Sequence, residues 1–179
     1  MSSNEKIHAV DLPSLEIIHY PDPRLREVCT PVDDPTDPVI AELVERMFEL
    51  MFASRGVGLA APQVGITVRL FVSSPTFDTS DRRVYINPQI IDVDGRQDGD
   101  EGCLSFPDIH CKVRRHDRVT IRATGLDGMV FEETGEQLTA RIFEHESDHL
   151  DGRLLVDRMS RVAKLANRRA LNQLEAELA

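Results

Sequence analysis

Residues 141–155 read RIFEHESDHLDGRLL, two histidines four positions apart with a glutamate directly after the first. On an α-helix, positions i and i+4 lie one turn apart on one face, so His145 and His149 turn their imidazoles toward a common point. Glu146 falls about a third of a turn round, in reach of a water on an ion rather than of the ion itself. Metal-assisted hydrolysis requires a general base in that position. A surface helix with two solvated histidines carries the same letters, so the spacing proposes a metal without naming a reaction. The apolar turn Ile142–Phe143 just before the motif, and Gly152 close after it, favour the metal.

A catalytic site needs a third protein ligand and an open position. No histidine follows His149, and Glu175 and Glu177 are the only later glutamates. The better candidate is upstream, Cys103 in DGDEGCLSFP (98–107), a glycine-flanked turn between strands. Its thiolate completes a His₂Cys set that accepts Fe2+ as well as Zn2+. The alternative for Cys103 is a small buried hydrophobe, and Cys29 and Cys111 are read that way. The acidic run Asp92, Asp94, Asp98 and Asp100 fails as a calcium loop. Arg96 takes its fifth place and Gln97 stands where that loop needs glycine, so the run reads as a solvated turn.

A third feature is GVGLAAPQVG (56–65), whose glycines and alanines leave backbone open to close approach. It lacks the lysine-hydroxyl ending of a phosphate loop. A peptide could pair its main chain with such an edge, and the Gln63 amide could donate to a developing oxyanion.

Around these motifs the chain of 179 residues, 41% hydrophobic, reads as one domain over 1–179 with residues 1–13 as a loose arm. A helix follows in 33–56. Asp37 caps it, Pro38 opens it, Gly56 ends it, and a Val, Ile, Leu, Met and Phe stripe forms its core face. TVRLFVSS, RVYINPQIIDV, RVTIRATG and VFEET read as strands, with Asp127-Gly128 as a hairpin turn. The motif helix then spans about 138–150 and a last helix about 160–177. Strands first and helices later predict an α+β fold, mostly antiparallel strands around the central HExxH helix, with N-terminal and C-terminal helices. The net charge of −10 argues against direct DNA binding. No apolar run approaches the roughly 18 residues of a membrane helix, and three widely spaced cysteines suit a reducing compartment, so a cytoplasmic protein with no membrane partner is expected.

Taken together and in this order, GVGLAAPQ, EGCLS and HESDH resemble peptide deformylase. IIHYPDPRLREVCTPV (17–32) and YINPQII (85–91) share the likeness, which spans roughly residues 14–160. ARIFEHESDHLDGRLLVDRM is similar to the type 1B branch. The resemblance implies removal of the formyl group from the N-terminal formyl-methionine of nascent polypeptides, with release of formate. It implies Cys103, His145 and His149 as metal ligands, usually for Fe2+, with Zn2+, Ni2+ or Co2+ able to substitute. Glu146 is then base and acid, and Gln63 and the Leu104 backbone N–H face the oxyanion. Gly58 pairs with substrate, and Val57, Leu138 and Ile142 line the methionine pocket. The chain departs from the family pattern at Glu144, where glutamine is usual, which adds a negative charge beside the site. It departs also at Ser147 and at His110, the latter read as rim rather than fourth ligand. Asp148 is open between a pair with Arg115 and a solvated helix charge.

Two other classes compete. A zinc endopeptidase on the same helix predicts a downstream third ligand and indifference to Cys103. A ribosome- or chaperone-binding protein with a degenerate site draws support from five basic residues between Arg158 and Arg169. Ribosome docking through the terminal helix is also compatible with activity, and no ligand or base is lost from the site.

Overall fold

The structure, a computed structural model, describes residues 2–177. Helices α1 (Ser3–His8) and α2 (Pro38–Ala53) come first, followed by strands β1 (Gly58–Ala60), β2 (Leu70–Ser73) and β3 (Arg83–Asp94). Strands β4 (Gln97–Cys103), β5 (Phe106–Arg115), β6 (Arg118–Thr124) and β7 (Val130–Glu136) complete the β region. Helices α3 (Gln137–Leu150), α4 (Leu155–Arg158), α5 (Arg161–Ala166) and α6 (Arg168–Glu177) finish the chain. Five strands form one sheet in the order β1-β2-β3-β6-β7, and β4-β5 form a separate hairpin. Neighbouring strands are antiparallel throughout, so the expected α+β class holds.

The loose arm expected over 1–13 is, where described, an ordered clasp. Ser2 and Glu5 form a capping box at the start of α1, and Ile7 and Leu12 are buried against α2. Ser3 Oγ donates to Asp33, and Asn4 Nδ2 donates to the Asp34 carbonyl at 2.8 Å. These polar letters are cap and clasp groups rather than marks of disorder.

At α2, Asp37 accepts the Val39 N–H at 3.0 Å and Pro38 occupies the first turn, as expected. The end differs. Arg55, not Gly56, takes the positive φ, 58°. Gly56 is small for another reason, since a Cβ there would lie 2.7 Å from Leu104 Cδ1.

Helix α3 lies on the five-stranded sheet, with Ala140, Phe143 and Leu150 packed among Phe71, Tyr85, Val119 and Ile121. Phe143 meets Tyr85 edge-on with ring centroids 5.2 Å apart. Gly152 ends the helix region at φ 68°, a left-handed value suited to glycine. The hairpin β4-β5 packs with the terminal helices, Phe106, Ile109 and Val113 against Leu154, Leu155, Leu171 and Leu174.

Other parts of the chain also differ from expectation. Rather than one solvated turn, Asp92 and Asp94 lie in β3, while Asp98 and Asp100 lie in β4. The alternation of β5 is masked in the sequence near Pro107-Asp108, where Asp108 has φ 61°. The last helix, expected unbroken from 160 to 177, breaks at Asn167. The Asn167 amide donates to the His110 carbonyl at 3.3 Å and to the Ala163 carbonyl at 3.0 Å, competing with the helical ladder.

Candidate metal centre

Strand β4 alternates inward and outward, so Glu101 and Cys103 share one face while Asp98, Asp100 and Gly102 point away. That face meets α3. Cys103 Sγ stands 3.3 Å from His149 Nε2, and the His145 and His149 rings are 5.1 Å apart between centroids. One ligand atom from each of Cys103, His145 and His149 lies within 4.8 Å of the others. Two segments forty residues apart therefore converge on one point. The downstream acid Glu175 is engaged elsewhere, accepting the Tyr20 hydroxyl at 2.8 Å.

Behind the three residues is a buried ionic cluster. Glu101 Oε2 meets His145 Nδ1 at 2.9 Å, which leaves Nε2 of that ring for an ion. Arg115 grips Glu101 with Nε at 2.8 Å and Nη2 at 3.0 Å, and Arg141 Nη1 donates to the same carboxylate at 2.8 Å. Burial alone would raise the Glu101 carboxyl. Its hydrogen bonds from His145 and Arg115 instead hold it well below the ordinary carboxylate range. Asp148 is no solvated charge: it is buried and accepts Arg115 Nη1 at 2.7 Å and Arg158 as well. Glu144, expected to add charge beside the site, turns away to His116, whose backbone N–H it accepts at 2.7 Å. Its other oxygen is 2.8 Å from His116 Nδ1. Glu101→Ala would leave the Arg115 and Arg141 charges undercompensated in the interior, and it is expected to cost about 3–5 kcal/mol in urea unfolding.

The donor set fits a divalent cation. One thiol and two imidazoles suit an ion of borderline softness. Burial holds the His149 pKa well below its ordinary value, keeping the neutral form that ligates. For His145 burial acts in the same direction, but hydrogen bonds with Cys103 and Glu101 outweigh it and raise the pKa well above normal. Glu146 Oε2 and His149 Nδ1 are buried and have no hydrogen-bond partner among the described residues.

The glycine-rich segment forms the facing wall. Ala61–Val64 make a 3-10 turn after β1, and Gln63 Oε1 accepts the Ala60 N–H at 2.9 Å. That bond turns Gln63 Nε2 toward Ser105 Oγ at 3.2 Å and Cys103 Sγ at 3.5 Å. Any Cβ at Gly58 would collide with Glu146 Oε1, so glycine leaves room for this carboxylate. A cavity of about 570 Å³ is bordered by Val57, Gly58, Gln63, Leu104, Leu138 and Ile142, together with Cys103, His145 and Glu146. Leu138 is at its half-exposed edge, and His110, exposed and lying over Gly102, stands on the rim as expected. Burial pushes the Glu146 carboxyl up to about 7.

Sequence reading missed Glu101, Arg141 and Ser105. Glu101 was detectable in principle, because period-two alternation places it on the same face as Cys103 once β4 is recognised as a strand. Arg141 and Ser105 carry no such signal, since their partners are distant in sequence.

Residues 14–165 match the family model described as polypeptide deformylase. A peptide deformylase of Acidobacterium capsulatum is 49% identical over 146 residues, covering 80% of this chain and 85% of its own. The solved peptide deformylase of Plasmodium falciparum superposes with a TM-score of 0.87 at 37% identity, over 90% of this chain and 96% of its own. Peptide deformylase 1B of Arabidopsis thaliana superposes with 0.87 at 40% identity, over 92% of each chain.

Proposed function

Because this chain belongs to the peptide deformylase family, hydrolases that remove the N-formyl group from nascent polypeptides, we propose that Cys103, His145 and His149 hold its metal and Glu146 carries the proton. The observation that carries this reading is the convergence of those three side chains beside a buried carboxylate oxygen that has no partner among the described residues. When bound, the metal supplies acidification of a water and polarisation of the formyl oxygen.

Glu146 takes the proton of the attacking water and returns it to the leaving amine nitrogen. Burial raises this carboxyl above the ordinary range in the metal-free chain, the direction that suits a group which must both take and return a proton. The Gln63 amide and the Leu104 backbone N–H donate to the oxygen on which negative charge develops, each worth about 3 kcal/mol. Among the described residues β1 is an edge strand paired with β2 alone, which leaves its other edge at Gly58 to pair with the substrate chain. Val57, Leu138 and Ile142 take the methionine side chain.

Fe2+ is the proposed native ion, with Zn2+, Ni2+ or Co2+ as substitutes. Exposed Arg161, Lys164, Arg168 and Arg169 support ribosome docking through the terminal helices. No described helix is long and apolar enough to cross a membrane, and the proposed compartment is the cytoplasm. Anaerobic purification, metal analysis and a formate-release assay on a formyl-methionyl peptide test the reading. Iron near one ion per chain and steady formate release are expected. An iron-loaded sample that frees no formate would sink it.

A further inference from the structure

An unbroken run of charged side chains links the metal centre to the protein surface. Arg158, the last residue of α4, donates Nε to Asp148 Oδ2 at 2.9 Å and Nη2 to Asp148 Oδ1. Asp148 Oδ2 also takes Arg115 Nη1 at 2.7 Å. Arg115 in turn holds both oxygens of Glu101, and Glu101 meets His145 Nδ1. The Arg115, Glu101 and Asp148 side chains are 3, 4 and 10% exposed, against 38% for Arg158. Arg158 is the end of this run that faces solvent.

Arg115 divides one guanidinium between two carboxylates, so what Asp148 demands of it depends on what else Asp148 holds. With Arg158 in place, both Asp148 oxygens are supplied, and Arg115 keeps Nε and Nη2 on Glu101. Without Arg158, Asp148 Oδ1 has no donor, a costly state for a buried carboxylate. Arg115 is the nearest remaining cation on Asp148. Turning its fork that way loosens Glu101, and with it the ring of His145.

We propose that Arg158 is a positioning residue for the metal centre, acting on His145 through Asp148, Arg115 and Glu101. The proposal rests on the metal assignment above. Its test compares Co2+-loaded parent, Arg158→Gln and Arg158→Lys by visible absorption, Co2+ loss to a chelator, and formate-release kinetics. Arg158→Gln is expected to lower kcat about 10-fold, with faster Co2+ loss and shifted cobalt bands, as loss of an outer hydrogen-bond partner does at metal sites. KM for the formyl-methionyl peptide stays within about 2-fold, since no substrate contact is removed. Arg158→Lys keeps the charge but not the fork and falls between the two.

Unchanged bands, kcat and Co2+ loss in Arg158→Gln, with or without a lower Tm, overturn the proposal. If Arg158→Gln does not fold, Arg158→Lys decides: shifted bands and lowered kcat support positioning, and parent values overturn it. A parent chain that neither binds Co2+ nor releases formate sinks the underlying metal assignment, and this proposal with it. That failure is distinct from variants that match a working parent.

Discussion

Glu146→Gln is expected to keep its metal and lose formate release by about 10²–10⁴-fold, the usual worth of a positioned general acid–base group. Glutamine is nearly isosteric, makes no new collision with Gly58, and leaves Cys103, His145 and His149 untouched. Metal analysis beside the kinetic assay separates loss of chemistry from loss of the ion. The same variant has a stability signature in the metal-free protein. Burial raises Glu146 to about 7 from an ordinary 4.5. Between those values the folded chain holds a proton that the unfolded chain has released, so parent stability falls as pH rises through the window. Glutamine does not titrate. The metal-free variant should therefore be more stable than metal-free parent by about 3 kcal/mol above pH 7, with that advantage gone near pH 4. Urea unfolding at the two pH values reads the difference, and a gap that widened toward acid would contradict the assigned burial of the charge.

Cys103→Ala is expected to give a folded protein that loses the metal as well as the formate release. Removing Sγ takes away one of three donors and the sulfur that faces His149 Nε2 and Gln63 Nε2. Two imidazoles on one helical face are a weak site on their own, and the open position that catalysis needs would be lost among ordinary solvent ligands. Folding should survive, since the side chain is small and the neighbouring Phe106, Ile109 and Val113 remain packed. Metal content is measured after anaerobic purification, with circular dichroism as the control for folding. Parent-level metal and turnover would show that the thiol is not a ligand, which is the outcome an endopeptidase with a downstream ligand predicts.

The parts of this protein readable from its letters are those whose physics is local. Helix periodicity puts His145, Glu146 and His149 in fixed relation, and Asp37-Pro38 marks the start of α2. β-branched alternation identifies β3, β6 and β7. Family motifs then join Cys103, Gln63 and the glycine-rich segment to that helix. Strand β4 is hidden because its outward positions Asp98 and Asp100 are acidic and its inward ones mix Glu101 with Cys103, a pattern that resembles a loop. Likewise α1 resembled a tail because its anchoring partners, Asp33, Asp34 and Asp37, lie some thirty residues away.

What the letters determined is the identity and spacing of the chemical groups. Which face of Glu144 turns to His116, which carboxylate steadies His145, and how Arg158 reaches Asp148 were decided only by tertiary packing. The physical reason is that a buried charge takes its partner from whatever the fold brings within about 3 Å, and sequence separation does not specify that distance.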